Sequence, residues 1–168
     1  MTKAILYSFR RCPYAMRARM ALYVSRLSYE HREVVLREKP DHMVQVSPKG
    51  TVPVFIRDNG DVIDESLDLL LYALEHNDPE GWLDCDKVEA KTLIAANDGP
   101  FKHHLDRYKY ASRYNDVPRG DIDLLHRQSA ETHLKALESR LEQHPYLCLL
   151  YTSPSPRDRT RSRMPSSA

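Results

Sequence analysis

No apolar stretch of this sequence approaches the ~20 residues that a membrane-spanning helix requires. The polar start Met1-Thr2-Lys3 runs directly into a strand-like segment instead of a leader. Charge of one sign is lacking as well. In 168 residues, 25 basic side chains stand against 24 acidic ones, so no basic surplus argues for a nucleic-acid surface. Cysteine occurs three times, too rarely for a disulfide framework, which suits a reducing compartment. No internal repeat is present. These absences set aside membrane-spanning, nucleic-acid-binding and disulfide-stapled classes, and leave a cytoplasmic globular chain as the expectation.

The end of the chain differs in kind. From Cys148 it reads CLLYTSPSPRDRTRSRMPSSA, which resembles the conceptual translation of a sequencing-library adapter. Two constant segments, Cys148 to Asp158 and Ser162 to Ala168, share one frame on either side of an index-sized gap, Arg159-Thr160-Arg161. A natural basic, Ser/Pro-rich disordered tail is the alternative. The adapter reading makes 148–168 a non-native disordered tail and removes it from fold reasoning. The preceding 147 residues then carry 21 basic and 23 acidic side chains, a net charge of −2 instead of +1, and two cysteines, Cys12 and Cys85.

What is present centres on Cys12-Pro13-Tyr14-Ala15. The apolar run Ala4-Ile5-Leu6-Tyr7 ahead of it has a strand's composition, and an amphipathic stretch follows from Tyr14 to about Ser25. A cysteine at that junction faces the unpaired N–H groups of a helix's first turn and the positive end of its dipole. Arg10 and Arg11 add positive charge beside it. Such surroundings favour thiolate over thiol, so the first expectation is sulfur chemistry.

Residues 1–76 alternate element types as an α/β unit does. A strand over 4–8 precedes the helix after Cys12, and His31 to Leu36 alternates as a second strand. A short helix is expected from Pro40 to Val46, with proline at its first position. Val52 to Ile56 reads as a third strand, Asn59-Gly60 as a hairpin turn, and Val62-Ile63 as a fourth strand. Leu67, Leu70, Leu71 and Leu74 fall on one helical face. The resulting order β-α-β-α-β-β-α is that of the thioredoxin fold. A linker follows at 77–83, and then strands cease. Helices are expected over Asp84 to Asn97, Phe101 to Tyr114 and Gln128 to Gln143, the last with Ala130, Leu134, Leu137 and Leu141 on one stripe. Gly99-Pro100 ends or kinks the first of them. The helical region 84–147 is small for an independent core and reads as an incomplete all-α domain.

Four motifs in order resemble the glutathione transferase superfamily, and within it the cysteine-type, omega-like branch. Cys12 to Ala15 matches that branch's Cys-Pro-Phe/Tyr-Ala, and Lys39-Pro40 matches the pair that opens its second helix. Ser47 to Val54 matches Asn/Ser-Pro-x-Gly-x-Val-Pro-Val, and Glu65-Ser66 matches the acidic-Ser pair at its third helix. The resemblance covers essentially all of 1–147. It implies a catalytic Cys12 and a cis bond between Val52 and Pro53, with glutathione as cosubstrate. Val52 would pair with the ligand's cysteinyl backbone as an edge strand does. Glu65 would accept from the γ-glutamyl amine, with Asp64 a possible sharer, and Ser66 at a helix N-terminus suits the adjoining carboxylate. Lys39 would neutralise the glycyl carboxylate, with Thr51 beside the same groove. Ala15 stands where a C-x-x-C motif has its second cysteine; the expected intermediate is therefore a mixed disulfide of Cys12 with glutathione. Thiol transfer, dehydroascorbate reduction and deglutathionylation all fit that chemistry, on a small electrophilic or glutathionylated substrate. Family members continue past Pro145-Tyr146-Leu147 and dimerise, so the resemblance also implies a truncated chain whose full-length form is a homodimer.

The bland readings stand beside these. Cys85 lacks neighbouring motifs, and Arg17 and Arg19 read as the exposed face of the first helix. Tyr108, Tyr110 and Tyr114 read as packing residues. Adjacent His103-His104 diverge on a helix, and His126 and His133 lack further ligands by spacing, so no metal site is expected. The alternative function is a non-catalytic transferase-fold interaction module of the stringent-starvation-regulator kind, which Cys12 argues against.

Overall fold

The computed structural model describes residues 3–143 and Leu147. The expectation for 148–168 lies outside the described residues, as do positions 144–146 of the expected helical region. Two compact units part between Leu83 and Asp84.

The first unit is built around a four-stranded mixed sheet. Its elements are β1 (Ile5–Ser8), α1 (Pro13–Val24), β2 (Glu30–Glu33), α2 (Asp41–Val46), β3 (Val54–Ile56), β4 (Val62–Ile63) and α3 (Ser66–His76). The strands lie in the order β2-β1-β3-β4. β1 runs parallel to β2 and antiparallel to β3, and β3 runs antiparallel to β4. This is the thioredoxin-like arrangement expected from the element order.

The pleat divides the core in two. Leu6 and Phe55, paired across β1 and β3, join Ala18, Ala21 and Leu22 of α1 and Leu69, Leu70, Ala73 and Leu74 of α3 in one buried cluster. Tyr7 and Val54, the next pair in register, face the other way and bury with Val34, Val52 and Met43 of α2. Three alanines of α1 (Ala15, Ala18 and Ala21) are fully buried, which lets the helix approach closely. α1 and α3 make the most extensive inter-element contact in the unit.

Two boundaries differ from the sequence expectation for a physical reason. β2 spans Glu30–Glu33 instead of His31 to Leu36. It is an edge strand, and charged side chains are what such strands carry, so the hydropathy pattern, drawn to Val34-Val35, starts the strand one residue late and ends it three late. Pro40 is the residue preceding α2, with extended backbone (ψ 134°), instead of its first helical residue.

In the second unit α4 (Lys87–Ala96) is capped by Asp86, whose carboxylate accepts from the N–H groups of Val88 and Glu89. Gly99-Pro100 does not end the helical run. It is absorbed in a π-helical turn, Asn97–Phe101, from which α5 (Lys102–Lys109) continues. Such a turn accommodates the missing N–H of Pro100 without breaking the helix. A 3₁₀ turn, Ala111–Arg113, and a loop lead to α6 (Leu124–Gln143), one turn longer at its start than the periodicity indicated. The inward stripe of α6 also differs. Ala130 is buried and His133 stacks on Phe101 with ring centroids 4.8 Å apart, whereas Leu134 is exposed. Burial disfavours a charged His133 ring. Arg140 pairs with Glu89, tying α6 to α4. Tyr110 and Tyr114 are exposed, each beneath a guanidinium, of Arg113 and Arg107 respectively.

Leu22 is fully buried at the α1–α3 contact. Leu22→Ala should destabilise the protein by about 2–5 kcal/mol, seen as a lower urea midpoint. Substituting its neighbour Tyr23, 78% exposed, by alanine should change stability by about 0.5 kcal/mol or less.

Candidate functional site

Cys12 is the residue that α1 and β1 present between them. Its backbone is extended (φ −78°, ψ 120°) and Pro13 opens the helix behind it. The Cys12 N–H donates to the Phe9 carbonyl at 3.0 Å, and its carbonyl accepts from Met16 N–H at 2.9 Å. The side chain makes no capping bond. Instead the half-buried free thiol points at the Val52 carbonyl, with Sγ 3.7 Å from the oxygen. Val52 and Pro53 are joined by a cis peptide bond, the conformation that the resemblance implies.

The segment that delivers Val52 is fastened along its length. The Ser47 hydroxyl donates to Asp64 at 2.8 Å. The Lys49 ammonium reaches both Asp64, at 3.1 Å, and Glu65, at 2.6 Å. Gly50 takes φ +59°, and a β-carbon there would meet Lys39 Nζ at 3.2 Å. Glycine thus serves both the turn and the passage of the Lys39 ammonium across the backbone beside Thr51. Val52 then enters the core with Tyr7 and Ala15.

The circuit closes through α1. Ser66, the first residue of α3, is buried, and its hydroxyl accepts from Arg17 Nη2 at 2.7 Å. Cys12 and Arg17 belong to adjacent turns, so the helix that positions the sulfur also touches the start of α3. Arg19 reaches back to Ser8 Oγ at 2.5 Å and to the Phe9 and Arg10 carbonyls at 3.3 and 3.1 Å. Both arginines are therefore half-buried fasteners of the site, not the exposed face expected of them.

Set against known proteins, residues 6–82 match the family model described as glutathione S-transferase, N-terminal domain. A probable glutathione transferase of Aplysia californica is 33% identical over 98 residues, 58% of this chain and all of that protein. The chain belongs to the glutathione transferase superfamily. A probable maleylacetoacetate isomerase of Caenorhabditis elegans is 30% identical over 149 residues, covering 84% of this chain and 68% of the relative. The crystal structure of glutathione transferase Omega 2C from Trametes versicolor superposes with a TM-score of 0.71 at 18% identity, over 90% of this chain and 67% of that one. Glutathione is the cosubstrate of this family, and the comparisons support a glutathione-dependent transferase in the broad sense. Among the described residues no helix is long and apolar enough to cross a membrane.

Every site position read from the transferase motifs falls on this circuit or directly beside it. Cys12 and Val52 meet. Pro53 follows Val52, Thr51 precedes it, Lys39 crosses Gly50, and Glu65-Ser66 open α3. Lys49 is absent from the sequence expectations, and Arg17 enters them only as part of the exposed face of α1. Lys49 occupies the variable position between Ser47-Pro48 and Gly50, so the motif itself carries no sign of its role. Its ammonium is held protonated by Glu65 and Asp64. The Asp64 carboxyl lies below its usual range, first because Ser47 donates to it and then because Lys49 does.

A carboxyl with a depressed pKa in the folded state contributes stability above its unfolded pKa, about 3.9, and loses it as pH falls through the folded value. Asp64→Asn should therefore cost about 0.5–1 kcal/mol near pH 6–7. The difference from the parent protein should shrink as pH falls below the ordinary carboxylate range and through the lowered folded-state value of Asp64. Urea titrations of both proteins across that pH range check this. A penalty that persisted unchanged at low pH would show that charge is not what Asp64 supplies.

Proposed function

We propose that this chain is a cysteine-type, omega-like glutathione transferase that works as a thiol oxidoreductase, with Cys12 as the nucleophile. The observation that carries the reading is the Cys12 sulfur lying 3.7 Å from the Val52 carbonyl at the start of α1. A peptide laid along Val52 would pair with that carbonyl and place its own sulfur beside Cys12. Once Cys12 is deprotonated, the carbonyl loses the thiol's hydrogen and can accept the incoming peptide N–H instead.

The other positions take roles that suit the ends of glutathione. Lys39, beside Thr51, faces the glycyl carboxylate. Ser66 at the N-terminus of α3 receives the γ-glutamyl carboxylate with its hydroxyl and N–H, and the Arg17 guanidinium bonded to that hydroxyl adds positive charge. Glu65 accepts from the γ-glutamyl amine, which then shares the carboxylate with Lys49. Pro53 completes the turn that presents Val52.

In the reaction the Cys12 thiolate attacks the glutathionyl sulfur of a mixed disulfide. The new Cys12–glutathione bond forms as the old S–S bond breaks, and the substrate leaves as a thiolate that takes up a proton. A second glutathione, as thiolate, attacks the sulfur of that intermediate, releasing glutathione disulfide and the Cys12 thiolate. Glutathione is thus the reductant. Reduction of dehydroascorbate and removal of glutathione from conjugates use the same intermediate. The full protein acts in the cytoplasm as a homodimer, as the family pattern implies.

Cys12→Ser should lower turnover of a glutathionylated disulfide by about a hundredfold or more, because a hydroxyl is a far weaker nucleophile than a thiolate. Peptide mapping of the parent protein after treatment with a small glutathione disulfide should find a glutathionyl group on Cys12. Undiminished turnover by Cys12→Ser would overturn the assignment. The match to the nematode protein over 84% of the chain favours a second reading, isomerisation of maleylacetoacetate. Isomerase turnover in the absence of mixed-disulfide turnover would select it.

A further inference from the structure

We propose that the second unit carries a transition-metal site formed by His103, His104 and His126, with zinc, copper(II) or nickel as the class of ion it accepts. Spacing along the chain gave no reason to join these residues, because adjacent histidines on one helix diverge. The packing of α5 on α6 joins them. One ligand nitrogen from each of the three lies within 4.8 Å of the other two. His104 Nδ1 and His126 Nδ1 are 2.7 Å apart, and the three ring centroids lie 5.0 to 5.8 Å from one another. Neutral imidazole is a preferred ligand of these ions.

The geometry is within reach of coordination. Tetrahedral zinc with Zn–N of about 2.0–2.1 Å separates its ligand nitrogens by about 3.3 Å. The His104–His126 pair would open slightly from its hydrogen-bonded distance and His103 would swing inward. His103 is exposed, so that movement disturbs no core packing. The same exposure leaves the outer side of the ion to solvent, which would supply the fourth ligand. Two features govern the affinity. The backbone of His126 is held at the start of α6, where its main-chain N–H donates to the Asp123 carboxylate at 3.0 Å. Against binding, Arg107 donates to His103 Nδ1 at 2.9 Å. An ion would therefore displace the guanidinium, which also stacks on Tyr114, or be held through the other ring nitrogen.

The test uses the whole chain without an affinity tag, in a Cys12→Ser, Cys85→Ser, Cys148→Ser background so that thiolates cannot compete. Isothermal titration with zinc chloride should show one site per chain. His104→Ala and His126→Ala should each weaken it by at least about tenfold, a loss seen even for outer-sphere partners of a metal. Circular dichroism controls for helix content in both variants. Copper(II) added to the unsubstituted-histidine protein should give an electron paramagnetic resonance spectrum with hyperfine structure from three imidazole nitrogens, a readout that needs no further variant. Absence of stoichiometric zinc binding, an affinity unchanged by either substitution, or a copper spectrum with one nitrogen or none would overturn the site.

Discussion

The structure of the first unit depends on where one short segment is pinned. Ser47 to Val54 is fastened at its start by Asp64, which takes the Ser47 hydroxyl and the Lys49 ammonium, and at its end by the burial of Val52 and Val54. Between those anchors Gly50 turns the chain beneath Lys39. These anchors position the Val52 carbonyl, and the Cys12 sulfur lies 3.7 Å from its oxygen. Exposed ion pairs contribute little by themselves. Here their use is positional: Lys49 links two carboxylates, one beside β4 and one at the start of α3, to the turn that faces the sulfur.

Much of this was legible from residue order. The α3 face Leu67, Leu70, Leu71 and Leu74 announced a helix packed on the sheet, and the buried cluster contains or touches all four. The Asn59-Gly60 turn and the Val62-Ile63 strand appear where their turn chemistry puts them, with Gly60 at φ +92°. The four transferase motifs carry residue types that the local structure uses: a proline at the cis bond, a glycine under Lys39, a hydroxyl at a helix start.

What escaped the reading was of two kinds. β2 was misplaced because an edge strand with Glu30, His31, Arg32 and Glu33 along it has no apolar signature. Hydropathy turns Arg17 and Arg19 toward solvent because it ranks the guanidinium and ignores its reach; the heads find Ser66, Ser8 and backbone carbonyls. The imidazole cluster of the second unit escaped for a related reason. It is a property of two helices packed together, and neither helix alone contains it.

The π-helical turn at Asn97–Phe101 has a geometric consequence for everything that follows it. Such a turn holds one residue more than an α-helical turn would, and each α-helical residue advances the winding by about 100°. Winding the same residues through that turn as regular α-helix, with none removed, would add close to one residue's rotation and carry Phe101, His103 and His104 together about the axis. Phe101 would leave His133, and both α5 imidazoles would turn from His126. Core and cluster thus share a single angular offset, set by a Gly-Pro pair that lies in neither.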